Sequence, residues 1–124
     1  MEKGNFMKNL TKLLAVSTVL CAVAAPQAGA ADVAPAALII AQGGLGDGSW
    51  NDTAYAGFKA GLEKTGVEGR PIESKDVVAQ GEEIMRRAAD GGFGLVVSLE
   101  WIHGEPMQKI APDYPDTNFV IMNQ

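Results

Sequence analysis

Two near-continuous apolar runs, Ala36 to Ala41 and Phe93 to Leu99, constrain this fold more than any other feature. A strand with water on one face alternates apolar and polar residues. A run apolar at almost every position must be covered on both faces, as in a parallel sheet flanked by helices. The sequence between and after them has helical period. The glycine-rich loop Gly43 to Gly48 leads into Ser49-Trp50-Asn51-Asp52, which opens a helix with Ser49 as cap and Asp52 as the acid of a capping box. Ala54, Phe58 and Leu62, with Tyr55 beside them, form one apolar stripe, and Gly66 is the expected stop. Gly69 to Ser74 reads as a shorter strand whose proline places it at a sheet edge. Val77 to Asp90 reads as a second helix, with Val78, Met85, Ala88 and Ala89 inward and Glu82, Glu83, Arg86 and Arg87 on a solvated face; Gly91-Gly92 ends it. Residues 103–111 suit a short helix with Pro106 in its first turn. Pro112 and Pro115 bound a turn, and Asn118 to Met122 is a fourth strand.

This β-α-β-α-β-α-β order predicts an α/β fold, a partial three-layer parallel sheet. Right-handed crossovers favour the strand order 2-1-3-4. Such an order has a switch point between strands one and three, and ligands of open α/β sheets bind at the strands' carboxyl ends there. Three segments converge on that point: Gly43 to Asn51, Leu99 to His103, and Asn123-Gln124.

Residues 1–30 read as a secretory signal peptide and are set apart from the fold. Lys3, Lys8 and Lys12 precede a thirteen-residue apolar stretch, Leu13 to Ala25, and Ala28-Gly29-Ala30 supplies small residues for cleavage. Thirteen residues fall short of the roughly 20 that a membrane-spanning helix needs. Export to a periplasm or cell exterior follows. The alternative is a lipid anchor at Cys21, although Leu20 stands where a lipidation signal wants a small residue. Cleavage after Ala30 leaves seven basic and fourteen acidic residues and no cysteine. An acidic chain without a basic run argues against a nucleic-acid partner. One cysteine and one histidine in 124 residues argue against a disulfide framework, a Cys-rich or His-based metal site and a Ser-His-Asp site. Neither cofactor nor metal is expected.

The loop GGLGDGSWN carries the site. Its glycines let backbone N–H groups approach a ligand, and the helix N-terminus behind them favours polar or anionic groups. Trp50 offers a flat π face, and Asn51 offers both donor and acceptor. The same residues also suit a plain capped strand-to-helix turn. The glycine spacing does not fit G-x-G-x-x-G, and no P-loop Lys-Ser/Thr is present. Trp101 is either a second wall of the cleft or a cap on the core at the sheet edge. His103 reads as a surface or helix-cap residue, and Glu100 and Glu105 as solvated carboxylates without a nucleophile.

The stretches GGLGDGSWNDTAYAGFKAGLEKTGV, PIESKD, GFGLVVSLEW and IAPDYPDTNFVIMN together resemble the basic membrane protein family (PnrA-like), extracytoplasmic substrate-binding proteins of ABC importers. The resemblance runs over residues 36–124. It rests on Asp47, Ser49, Trp50 and Asn51, and on Tyr114, Pro115, Asp116, Thr117 and Phe119. It implies two α/β lobes of the type I periplasmic-binding-protein fold, a hinged cleft, a purine nucleoside or related heterocycle as ligand, and an inner-membrane permease as partner. It matches Trp50 to the family's stacking phenylalanine and Asn51 to its ligand-binding asparagine. Asp47, Ser49, Trp101 and Asn123 complete the expected ligand-binding set. Two positions depart from the family pattern: Ala41 and Asn123 stand where it has acids.

Two lobes need roughly three hundred residues, so residues 31–124 are expected to be a truncated first part of one lobe. The expected function is ligand capture without catalysis. The alternatives are a periplasmic sugar-binding protein of the same architecture, an exported enzyme using Glu100 or Glu105 as an acid, and a non-functional remnant.

Overall fold

A computed structural model describes residues 33–123. The signal segment 1–30, with Cys21, and Gln124 lie outside the described residues. The elements are β1 (Ala36–Ile39), α1 (Trp50–Thr65), β2 (Gly69–Ile72), α2 (Gly81–Asp90), β3 (Leu95–Ser98), α3 (Gly104–Ile110) and β4 (Asn118–Ile121). Single 3-10 turns, Trp101–His103 and Ala111–Asp113, flank α3.

All four strands are parallel, in the order β2-β1-β3-β4. This is the order expected from right-handed crossovers. The central strand β1 is buried along its whole length because both faces are covered. Ala37 and Ile39 pack with Val96, Ile84, Met85, Ala88, Met107 and Ile110, so α2 and α3 cover one face. Leu38 and Ile40 pack with Leu99, Ala54, Tyr55 and Phe58, so α1 covers the other. The chain is therefore the three-layer α/β arrangement that its apolar runs require.

Pro71 sits on β2 at the sheet edge, as its chemistry demands. The amides of Ala36 and Ile40 on β1 donate to the carbonyls of Glu68 and Ile72, at 2.8 and 3.0 Å. In a parallel strand the even-numbered groups of β2 thus face β1, and the odd-numbered Pro71 faces outward, where its missing N–H leaves no gap in the ladder. Gly66 ends α1 at φ 71°, its N–H donating to the Leu62 carbonyl.

Two details of the second crossover differ from the sequence reading. The helix begins at Gly81 rather than Val77, because residues 75–80 form turns stapled by Asp76, whose carboxylate accepts from the Ala79 amide. Val77 is buried in consequence, while Val78, expected inward, is exposed. Nor is Arg86 merely solvated. It bonds Glu82 at 3.1 Å and Asp113 at 2.9 Å and lies over the Tyr114 ring, which ties α2 to the turn after α3.

Candidate functional site

The segment after β1 is a knot of backbone amides held by side-chain acceptors. Asn51, the first buried residue of α1, turns its carboxamide back into the loop. Its Oδ1 accepts from the Ala41 amide at 3.0 Å, and its Nδ2 donates to the carbonyls of Ala41 and Gly44. Only 1% of the residue is exposed. Both amide hydrogens are spent on the chain, so Asn51 positions the loop, and its carboxamide is not presented to a ligand as the resemblance implied.

The cap also differs from expectation. Ser49 makes no side-chain cap bond. Asp47 does that work: its carboxylate accepts from the amides of Ser49, Asn51 and Asp52 at 2.9, 3.0 and 3.2 Å. These amides, that of Asn51 foremost, hold the Asp47 carboxyl below its ordinary pKa. Asp52 reaches further back than a capping box would, accepting from Gly46 and Gly48 at 2.7 and 2.8 Å. Those glycines sit at φ 90° and 60°, a region that a side chain would strain. Glu73 takes the Leu45 amide and Glu100 the Gln42 amide.

Most of the loop's amides, expected to favour a polar or anionic group of a ligand, are thus already taken by the chain itself. Seven amides between Gln42 and Asp52 already face carboxylates of the chain itself. Four acids line the junction, and their field opposes a negatively charged ligand.

The end of β3 holds a second network. Ser98 is fully buried, and so is His103. Val77 O lies 2.8 Å from His103 Nε2, and a carbonyl can only accept, so Nε2 carries the proton. Nδ1 then accepts from the Ser98 hydroxyl at 2.8 Å, and Ser98 Oγ accepts from the Glu100 amide at 3.2 Å. His103 thus holds the N-cap position of α3, one of the two places expected for it, but its side chain makes no cap bond and lies in the core rather than at the surface. Gly81 exists for its sake, since a Cβ there would land on the imidazole. Glu100 is likewise not a solvated carboxylate: it is 7% exposed, whereas Glu105 is exposed as expected. A carboxylate on an apolar strand end, one residue before a tryptophan, carried no periodic signal that would have marked it.

The remaining candidates face outward at the carboxyl ends of adjacent strands. Trp50 follows the β1 loop and is 44% exposed; Trp101 follows β3 and is 64% exposed. The latter value rules out a cap on the core. Ser49 is exposed beside Trp50, and Asn123 is exposed just past β4. The Glu100–Gln42 bond, at 3.0 Å, joins the two tryptophan-bearing segments directly. A cavity of about 660 Å³ lies at the other end of the sheet, lined by Pro35, Leu62, Val67, Gly69 and Phe93 among others. It is a trough beneath the reversal from α1 to β2, and Glu63, Glu68 and Arg70 also line it.

This arrangement, exposed aromatics above a satisfied and acid-rich junction at a switch point, can hold a small molecule by stacking and by carboxylate or amide acceptors. No family model matches the chain. It is 28% identical over 87 residues to an uncharacterized lipoprotein of Pyrococcus furiosus, a match covering 70% of this chain and 22% of the relative. In structure it resembles an ABC transporter solute-binding protein of Aeropyrum pernix: TM-score 0.66, 27% identity, 73% of this chain and 25% of that one. A solute-binding protein of the same transporter class from Conexibacter woesei superposes with TM-score 0.59 at 30% identity, covering 69% of this chain and 28% of that one. The chain spans about a fifth of the length of the curated relatives it matches.

Proposed function

We propose that this chain forms the first part of the ligand-binding lobe of an extracytoplasmic solute-binding protein, one that hands a small molecule to an ABC permease and does no chemistry on it. The observation that carries the reading is the pair of exposed indoles, Trp50 and Trp101, at the carboxyl ends of β1 and β3. A tryptophan left in water at a switch point costs apolar exposure that a stacked ligand would recover. The likeness to the Aeropyrum and Conexibacter solute-binding proteins supports it. The lipoprotein relatives and the signal-like residues 1–30 support a place outside the cytoplasm, in a periplasm or at the cell surface.

Within this reading the ligand is a purine nucleoside or a related heterocycle, as the resemblance of the Trp50 loop to the basic membrane protein family suggests. Stacking on an aromatic is worth about 1–3 kcal/mol per base. The two tryptophans are the whole chain's complement, so their fluorescence reports the site. Titration with inosine, adenosine, ribose and galactose should quench it with a heterocycle. Trp50→Ala and Trp101→Ala should each weaken binding by about fivefold or more. A response to ribose or galactose alone would favour the sugar-binding alternative, and silence with all four would overturn the proposal.

A further inference from the structure

Glu100 stands apart from the other acids of the junction. It is 7% exposed, yet it forms no ion pair among the described residues. Burying a carboxylate without a cation is costly, and a fold accepts that cost where the charge is used. Both ends of the residue are fixed. Its amide donates to Ser98 Oγ, which His103 holds and Val77 anchors, and its Oε2 accepts from Gln42. The other oxygen, Oε1, meets no donor among the described residues. Among those residues no side-chain polar atom closed off from solvent lacks a partner, so Oε1 keeps some contact with solvent. It does so from the strand end that carries Trp101, bonded across to the segment that carries Trp50.

The charges nearby point the same way. Asp47, Asp52 and Glu73 face the loop amides, while Arg86 and Lys109 are engaged across α2 and α3 with Glu82 and Asp113. A fixed, half-free carboxylate on the segment that carries Trp101 is a charge-assisted acceptor for an N–H or O–H group, and aromatic faces tolerate or attract positive charge. The same field rejects phosphate and carboxylate groups.

We propose that Glu100 is the specificity-determining acceptor of this switch-point site: it selects neutral or cationic ligands that present an N–H or O–H donor and turns away anionic ones. The inference rests on the reading that the switch point binds a small molecule. Ser98 and His103 act through Glu100 as positioning residues.

The test is nitrogen-15 NMR titration of the full chain with two matched pairs: inosine and inosine 5′-monophosphate, ribose and ribose 5-phosphate. At least one unphosphorylated probe should shift the amides of Gln42, Glu100 and Trp101. Its phosphorylated partner should bind about tenfold more weakly or worse. Glu100→Gln keeps an acceptor for the Gln42 amide, and it should weaken the unphosphorylated probe about tenfold and narrow the preference. The wild-type comparison stands even where that variant folds poorly. Should an unphosphorylated probe move the tryptophan signals yet bind Glu100→Gln equally well, or its phosphorylated partner bind the wild type equally well, the role of Glu100 is refuted while ligand binding survives. If no probe shifts any resonance up to about 50 mM, both readings fall.

Discussion

At the scale of the residue, the junction after β1 depends on one carboxamide. Asn51 serves three partly buried backbone groups, and its removal strands all of them. A buried polar group left unpaired costs about 1–3 kcal/mol. Asn51→Ala is therefore expected to destabilise the chain by about 3 kcal/mol in urea unfolding, with loss of the Trp50 environment in the folded remainder. Asn51→Asp should fare almost as badly, because a carboxylate cannot donate to the carbonyls of Ala41 and Gly44. The type and position of Asn51 were plain in the sequence, but its direction was not. An asparagine at the start of a helix can face a ligand or its own loop, and the choice depends on which backbone groups β1 leaves unsatisfied.

At the scale of the element, α2 and α3 are braced by Glu82, which accepts from Arg86 at 3.1 Å and from Lys109 at 2.9 Å. These bonds, that of Lys109 first, hold the Glu82 carboxyl below its ordinary value of 4.5. Arg86 is correspondingly raised, above all by Asp113. A carboxyl with a lowered folded pKa stabilises the fold above its unfolded pKa, and that contribution disappears as pH falls through the folded one. Thermal melts of Glu82→Gln should therefore show a lower midpoint than the wild type at pH 7, and the difference should shrink as pH falls below 4.5 through the lowered folded pKa. The capped start of α1 follows the same rule through Asp47, whose carboxyl is also lowered.

At the scale of the whole molecule, among the described residues one helix, α1, covers one side of the four-stranded sheet. Every apolar residue of α1 stays partly exposed; the one buried position is Asn51. An apolar trough of about 290 Å³ runs between α1 and the strands, lined by Leu38, Phe58, Val97, Leu99 and Met122. Val120, paired with Val97, lies exposed on the same side, and β4 is a strand at the sheet edge. Open apolar edges promote association, and a lysine blunts them. Sedimentation velocity should show concentration-dependent association of the wild type and less of it for Val120→Lys, with helix and strand content unchanged by circular dichroism.

The strand order, the layers and the edge position of β2 were legible in the residues themselves. Unbroken apolar runs permit only strands covered on both faces, proline tolerates only an edge, and crossovers have one hand. The exposure of both tryptophans and the burial of Asn51, Glu100 and His103 were decided by the tertiary structure alone. Whether a polar side chain turns inward depends on partners distant in sequence: Glu100 waits on Gln42, His103 on Val77, and the loop amides on Glu73. Local pattern cannot report those pairings, because each forms only when the sheet brings the strand ends side by side.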